Sequence, residues 1–432
     1  MSMHWGNVYI LVVLGGVGRV FVLALDGVPV EVFERLRDDL PNIAEVASRG
    51  SWGVMRAVDP PITVPAWASM FTGRDPGELG IYGFRHLDRS SRRGYVVTSR
   101  DLRERYVWER RGLRSIVIGL PPGYPPRPYG LWISDFLTPE GRPWTYPPEL
   151  ASEIGRYVFD VEYRTDRKEE AFKALVEMTE LRFGAAERLL ERGWDVFVLH
   201  EIGTDRAHHL YQKFWDVDHP QYVPGNPHED KIPRYYRLVD ELAGRLFKKL
   251  PGDVEVLVVS DHGNQAQRGV LALNQLLAEW GFLRFRREPS RGEDVDAVVD
   301  WDRSLAVAWG GYYARVFVNA VGEEAVDVKR ELRRRLSVLK APWGYIRNAV
   351  FEPAELYRAV RGDAPDLMVY FDSLRVRPVQ TVGYESPWLE GNDRGPDDSL
   401  HSFNGFYAAT WGDVRRRDLH ALDVAGFLER VL

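Results

Sequence analysis

The sequence predicts an α/β protein with a mostly parallel central sheet, helices on both faces and an inserted cap region, and three observations carry that reading. Two continuous apolar runs, residues 20–25 and 254–260, suit strands covered on both faces, and each ends abruptly in an acid, Asp26 and Asp261. Between them strand-like and helix-like segments alternate, which is the pattern of a parallel sheet. The chain has 432 residues, 45% hydrophobic and 28% charged, enough to bury a large core.

The elements follow in order. Residues 8–25 are apolar over nearly the length of a membrane span, but Arg19 and three glycines interrupt them, and residues 1–7 contain no lysine or arginine to open a signal peptide. No membrane span or export segment is expected, and with no cysteine in the chain the expected location is cytoplasmic. Residues 1–18 are read as a lead that is either absent from the cellular protein or peripheral. Leu14-Gly-Gly is what an in-frame ribosome-binding sequence would encode, with Val17 or Val20 as the start, and the rival is a real edge strand at 8–14. A helix at 31–37 follows the first strand, then a short strand at 53–57.

Next comes Pro60-Pro-Ile-Thr63-Val-Pro65-Ala-Trp. The paired prolines impose an extended approach, Thr63 is a good N-cap type, and Pro65 is tolerated only in a first helical turn. Residues 66–71 read as apolar helix stopped by Gly73. The free N–H groups of such a helix start attract a phosphate-like anion, so Thr63 would sit beside a group it could attack. Taken alone, simple capping explains the threonine equally well.

Strands at 114–119 and 130–134 flank a proline-rich turn, and an amphipathic helix at 167–192 feeds a strand at 195–200. After that strand, Asp205 and His209 stand four apart, so on a helix they share a face within about 6 Å and could ligate one metal ion. His208 competes for the role, and a surface ion pair is the plain alternative. Helix 233–250 leads into the strand ending at Asp261-His262-Gly263. In doubly wound folds ligands bind beyond the carboxyl ends of the strands, which puts Asp26 and Asp261 on the functional rim unless each only closes a turn. His401 precedes an aromatic strand-like run, and an isolated histidine there would more often be structural.

Residues 291–395 are read as sheet extension and cap, inserted into a core made of 1–290 and 396–432. This segment holds strand-like runs at 304–309, 314–319 and 364–371 and an arginine-rich helix at 326–339. Trp309, Tyr312, Tyr313, Trp388 and Asn392 are candidate substrate-facing groups, although aromatics in such a region more often pack a core. The net charge of -6 argues against a nucleic-acid polymer as partner. The lack of cysteine removes thiolate metal sites and a cysteine nucleophile.

The ordered set Asp26, Thr63, Asp205, His209, Asp261, His262 and His401 resembles the alkaline phosphatase superfamily, and within it the type I phosphodiesterase and nucleotide pyrophosphatase branch. The resemblance runs over nearly the whole chain, including Asn42-Ile, Phe-Thr-Gly73 and Ser-Asp261-His262-Gly. It implies a two-metal site: Asp26, Asp261 and His262 with Thr63 would hold one ion, and Asp205, His209 and His401 the other. Zinc is the ion implied, and manganese suits the same nitrogen and oxygen ligands. The implied activity is hydrolysis of a small-molecule phosphoester through a covalent Thr63 intermediate.

The pattern also departs from the family. Phe84 stands where the nucleotide pyrophosphatases carry a phosphate-holding asparagine, and Leu79 replaces a common histidine. Tyr82, Arg85 and His86 are therefore candidate replacements for those phosphate contacts. A phosphomonoesterase, a phosphonate hydrolase or a phosphomutase of the same superfamily stays open as the alternative, with a catalytically silent binding protein as the rival of another class. If His401 is not a ligand, His420 is the next candidate.

Overall fold

The computed structural model describes residues 18–412 and 418–432, so the lead expected to be dispensable and the alternative edge strand at 8–14 fall almost wholly outside the described residues. The central sheet has nine strands: β1 (Arg19–Leu25), β2 (Ser51–Arg56), β3 (Ser115–Ile118), β4 (Leu131–Ile133), β5 (Thr145–Tyr146), β6 (Val196–Glu201), β7 (Val254–Val259), β8 (Asn404–Ala409) and β9 (Leu419–His420). Their spatial order is β9-β2-β8-β7-β1-β6-β3-β4-β5. The run β7-β1-β6-β3-β4 is parallel throughout, and β5 and β8 run against it.

The continuous apolar runs are explained by cover on both faces. In β1, Phe21, Leu23 and Leu25 enter one core with the helices Pro41–Arg49, Lys168–Leu189, Gly203–Trp215 and Lys231–Phe247. Val20, Val22 and Ala24 enter the opposite core with the helices Thr63–Thr72 and Asp423–Val431. Period-2 alternation thus distributes one strand between two cores, each fully buried side chain contributing on the order of 1.5–3 kcal/mol. The three central strands are consequently held rigidly, and the residues at their carboxyl ends inherit that rigidity.

One expectation is corrected. The segment 291–395 adds no strand to the central sheet, whose edges are β9 and β5. It instead builds a second sheet of four antiparallel strands, in the order Ala306–Trp309, Ala314–Val318, Leu367–Tyr370, Ala349–Phe351. The helices Leu273–Glu279 and Gly322–Ser337 pack on it in a separate core. These strands pair with one another, and none of them pairs with a strand of the main sheet. No helix among the described residues is long and apolar enough to cross a membrane.

Candidate metal centre

β7, β1 and β6 are neighbours, and their carboxyl ends deliver three acids to one place. Asp26 follows β1, Asp261 follows β7, and Asp205 lies in the first turn of helix Gly203–Trp215 just beyond β6. Gly27 makes the intervening turn with φ of 66°, a conformation that glycine adopts without strain, and its N–H donates to Asp261 Oδ1 at 3.2 Å. All three acids are buried.

Thr63 is placed differently from a capping threonine. Ile62 is the extended N-cap residue and makes no side-chain cap bond, whereas Thr63 is the first helical residue. Its hydroxyl is therefore not engaged with the helix backbone and reaches Asp26 Oδ1 at 3.3 Å and His262 Nε2 at 3.4 Å. The first intrahelical bond is Ala66 N–H to Ile62 C=O, and the amides of Thr63 and Val64 make no hydrogen bond among the described residues. Pro65 has no N–H to leave unpaired.

The histidines complete the cluster. His262 Nε2 lies 3.3 Å from Asp261 Oδ2 and 3.5 Å from Asp26 Oδ1. His209 Nε2 is 3.3 Å from Asp205 Oδ2, and His401 Nε2 is 3.5 Å from Asp205 Oδ1. Of the two competing histidines, His209 faces the cluster, while His208 is turned to Gln212 and the Tyr236 hydroxyl. His401 comes from the strand Ser399–Ser402, which pairs with Gly263–Ala266 and stacks its ring on His262 at 3.7 Å. His420 is remote from the cluster, on β9 beside Arg56.

Each of the three ring systems turns its other nitrogen to a fixed acceptor. His401 Nδ1 lies 2.9 Å from the Pro61 carbonyl, His262 Nδ1 3.1 Å from that of Gly263, and His209 Nδ1 2.7 Å from Asp397 Oδ1. These acceptors favour the proton on Nδ1 and leave the Nε2 lone pair pointing inward, the arrangement that metal-binding histidines require. Two inward atoms, His401 Nε2 and Asp261 Oδ2, are buried with no hydrogen-bond partner. A cation at each would satisfy it, so the donor set fits divalent metal ions.

By proximity the ligand atoms fall into the groups Asp205, His262, His401 and Asp26, Asp261, His262, each within 4.8 Å. His262 is common to both groups, whereas the sets implied by the resemblance are disjoint. Within the cluster the buried groups titrate against one another. Burial, with Asp26 alongside, raises the Asp261 carboxyl well above its usual range. Burial opposes charge on Asp205 and on His209 too, yet their mutual attraction wins, holding Asp205 low and, with Asp397, pushing His209 up to about 10.

Supporting groups with no motif of their own surround the ligands. His200 Nε2 at 2.8 Å and the Trp67 N–H at 2.9 Å both engage Asp26 Oδ2. The Arg206 guanidinium donates to Asp205 Oδ2 at 2.8 Å, and Asn264 Nδ2 donates to Asp205 Oδ1 at 3.1 Å. Asp397, which orients His209, is itself held by Arg377 at 2.7 Å. The Tyr312 ring stacks on His401 at 3.6 Å, with its hydroxyl 3.3 Å from His209 Nε2. Asp397 could have been suspected only as a carboxylate four residues before His401.

A cavity of about 500 Å³ opens beside the cluster, bounded by Ile62, Tyr312 and Arg206 and, further out, by Phe84, Arg85 and Phe136. Of the candidate phosphate contacts, Phe84 and Arg85 line it. Tyr82 and His86 do not: both are buried, Tyr82 donates its hydroxyl to the Arg361 carbonyl at 2.7 Å, and His86 Nε2 accepts the Tyr82 N–H at 3.0 Å. They shape the turn that carries Phe84 and Arg85. Among the cap aromatics, Tyr312 and Tyr313 line the cavity, whereas Trp309 is core, Trp388 packs on Trp343, and Asn392 bonds the Asp397 backbone.

Residues 20–397 match the family described as Type I phosphodiesterase / nucleotide pyrophosphatase. No curated protein sequence matches the chain significantly. Among solved structures it is similar to phosphonoacetate hydrolase from Sinorhizobium meliloti 1021. The complex of that enzyme with phosphonoacetate gives 17% identity and a TM-score of 0.67, and the complex with phosphonoformate gives 15% and 0.65. In both cases 96% of each chain is covered, which shows the alkaline phosphatase-like fold.

Proposed function

Because the chain belongs to the Type I phosphodiesterase / nucleotide pyrophosphatase family, we propose that it hydrolyses a small phosphoester at the Asp/His centre, with Thr63 as the nucleophile. The observation that supports this most is the Thr63 hydroxyl, released from capping and held 3.3 Å from Asp26 within the Asp/His cluster. In this reading Asp26, Asp261, His262 and Thr63 hold one divalent ion and Asp205, His209 and His401 a second, zinc or manganese. Such ions lower the pKa of a bound hydroxyl and offset charge on phosphoryl oxygens.

The residues of the chain then divide the work. The Thr63 hydroxyl donates its proton toward Asp26 Oδ1, which His200 and Trp67 keep in place from the other oxygen. The free amides of Thr63 and Val64, at the positive end of the helix dipole, favour the phosphoryl oxygens there. Attack forms the Oγ1–P bond and breaks the bond from phosphorus to the leaving alcohol oxygen, which takes up a proton. Water then cleaves the phosphorylated Thr63. We take residues 291–395 as the cap that selects the leaving group, set on a core of 1–290 and 396–432.

A phosphonate is the second reading, favoured by Phe84 in the cavity wall where the nucleotide pyrophosphatases have asparagine and by the phosphonoacetate hydrolase neighbours. Metal analysis combined with a panel of nitrophenyl mono- and diesters and simple phosphonates separates these outcomes. The expected result is two divalent ions per chain and turnover of one ester class. Two ions with no turnover of any phosphorus compound would favour a silent binding protein instead.

A further inference from the structure

The cavity carries more positive charge than the reaction at Thr63 requires. Four of its arginines are neutralised: Arg206 by Asp160 and Asp205, Arg377 and Arg164 by Asp397, and Arg394 by Asp294. Arg85 and Arg315 also line it, and neither makes an ion pair among the described residues. Arg315 is only 8% exposed, so an unpaired guanidinium there is costly unless something answers it. Its Nη1 donates to the Arg85 carbonyl, and its Nε is buried with no acceptor at all.

Among the described residues no carboxylate pairs with either guanidinium: of the acids lining the cavity, Asp160 and Asp294 pair with Arg206 and Arg394, and Asp393 accepts the Thr381 hydroxyl. The Arg315 guanidinium lies between the rings of Trp309 and Tyr313, each 5.8 Å away, and Arg85 lies over the same Trp309 at 5.2 Å. His86, behind them, is driven down to about 3 by burial and by Arg315, and so stays neutral. Asp296 is the carboxylate within electrostatic reach of Arg85, and it is engaged by the Trp309 N–H and Gln380. Gly83 lies against Arg315: a Cβ there would come within 3.3 Å of Nη1, so a larger residue would crowd the guanidinium.

We propose that Arg85 and Arg315 form a second anion subsite, so that the substrate is a small phosphorus compound bearing another anionic group, a carboxylate or a second phosphate. The proposal rests on the hydrolase reading of the same cavity for the word substrate, but not for the subsite itself. A planar guanidinium pair flanked by aromatic faces binds either oxyanion by charge-assisted hydrogen bonds. The remaining wall, Phe84, Val96 and Phe136, is apolar and would border the linking atoms.

Equilibrium binding tests the subsite without turnover. Calorimetric titration of the zinc-loaded protein would use methylphosphonate, 3-phosphonopropionate and methylenediphosphonate. At least one two-anion probe should bind ~10-fold or more tighter than methylphosphonate, the scale of one charged hydrogen bond, and which one does so distinguishes carboxylate from phosphate. Arg85→Met and Arg315→Met should each reduce that ratio to roughly 3-fold or less. Arg85 is exposed, so its variant decides the matter if Arg315→Met fails to fold. Equal binding of all three probes by the wild type, or a ratio that survives Arg85→Met, overturns the subsite. A preference that stands in a protein with no turnover of any ester or phosphonate would instead contradict the hydrolase reading.

Discussion

At the scale of single residues, the proposed metal centre would depend on atoms that orient its ligands as much as on the ligands. Asp397 fixes His209 through Nδ1, and removing such a carboxylate typically weakens metal binding by roughly 10–100-fold. Asp397→Asn should show that loss in a chelator competition, and unchanged affinity would mean that the contact is incidental. His401→Ala should lower the metal content below two ions per chain, and a content still at two would remove His401 from the ligand set. A second consequence lies in pH. Burial, with Arg315 alongside, depresses His86 from 6.5 to about 3, so the folded protein keeps it neutral while the unfolded chain takes up a proton near 6.5. The stability this group contributes is complete above that value and is lost as pH falls toward 3, each tenfold change in proton affinity being worth about 1.4 kcal/mol. The thermal midpoint should fall between pH 6.5 and pH 4, and more shallowly in His86→Gln; an identical slope in the variant would show that other groups govern it. The resemblance of the sequence order picked out all seven proposed ligand and nucleophile positions, His209 among them, whereas local spacing alone left His208 in competition. The choice between them follows from which way the helix rolls onto Tyr236, a contact 28 residues away. His200 left no trace, and Asp397 only its place four residues before His401, because their partners, Asp26 and His209, are distant in the chain.

At the scale of elements, the decisive feature is how strands and helices end. β1 and β7 stop at acids because the next residues must turn, and at Gly27 the turn is crowded as well as left-handed. A Cβ at Gly27 would lie 2.4 Å from Asn264 Nδ2 and 2.7 Å from Asp205 Oδ1. Gly27→Ala should therefore cost roughly 1–2 kcal/mol from φ alone and also displace Asp205, so metal content should fall along with the thermal midpoint. Retention of both would show that the turn can relax. The apolar strand runs were legible because cover on both faces leaves no polar alternation to confuse with a helix. The start of the Thr63 helix was misread by one residue, since threonine is an excellent cap and nothing local says that Ile62 takes the position instead. The four-stranded second sheet was legible only as scattered short runs, because its pairings, such as Val316 with Leu367, join residues some fifty positions apart.

At the scale of the molecule, two sheets of different character meet at one cavity. The rigid parallel sheet supplies Asp26, Asp205 and Asp261 from three adjacent strand ends, and the antiparallel sheet brings Tyr312 onto His401 and Arg315 against Gly83. The fold was predictable from alternation and strand ends, whereas the meeting of the two sheets depends on tertiary packing that no local pattern encodes. The same division suits a hydrolase whose chemistry is constant and whose substrate choice varies with the cap. The central claim is that the Thr63 hydroxyl forms the covalent bond to phosphorus, and turnover of the metal-loaded Thr63→Ala protein tests it most directly. With metal content unchanged, turnover of the best ester should fall by at least ~1000-fold, since among the described residues no other hydroxyl reaches Asp26 Oδ1 and His262, the Tyr312 hydroxyl lying on the His209 side. Turnover near the wild-type level in that variant would contradict the account.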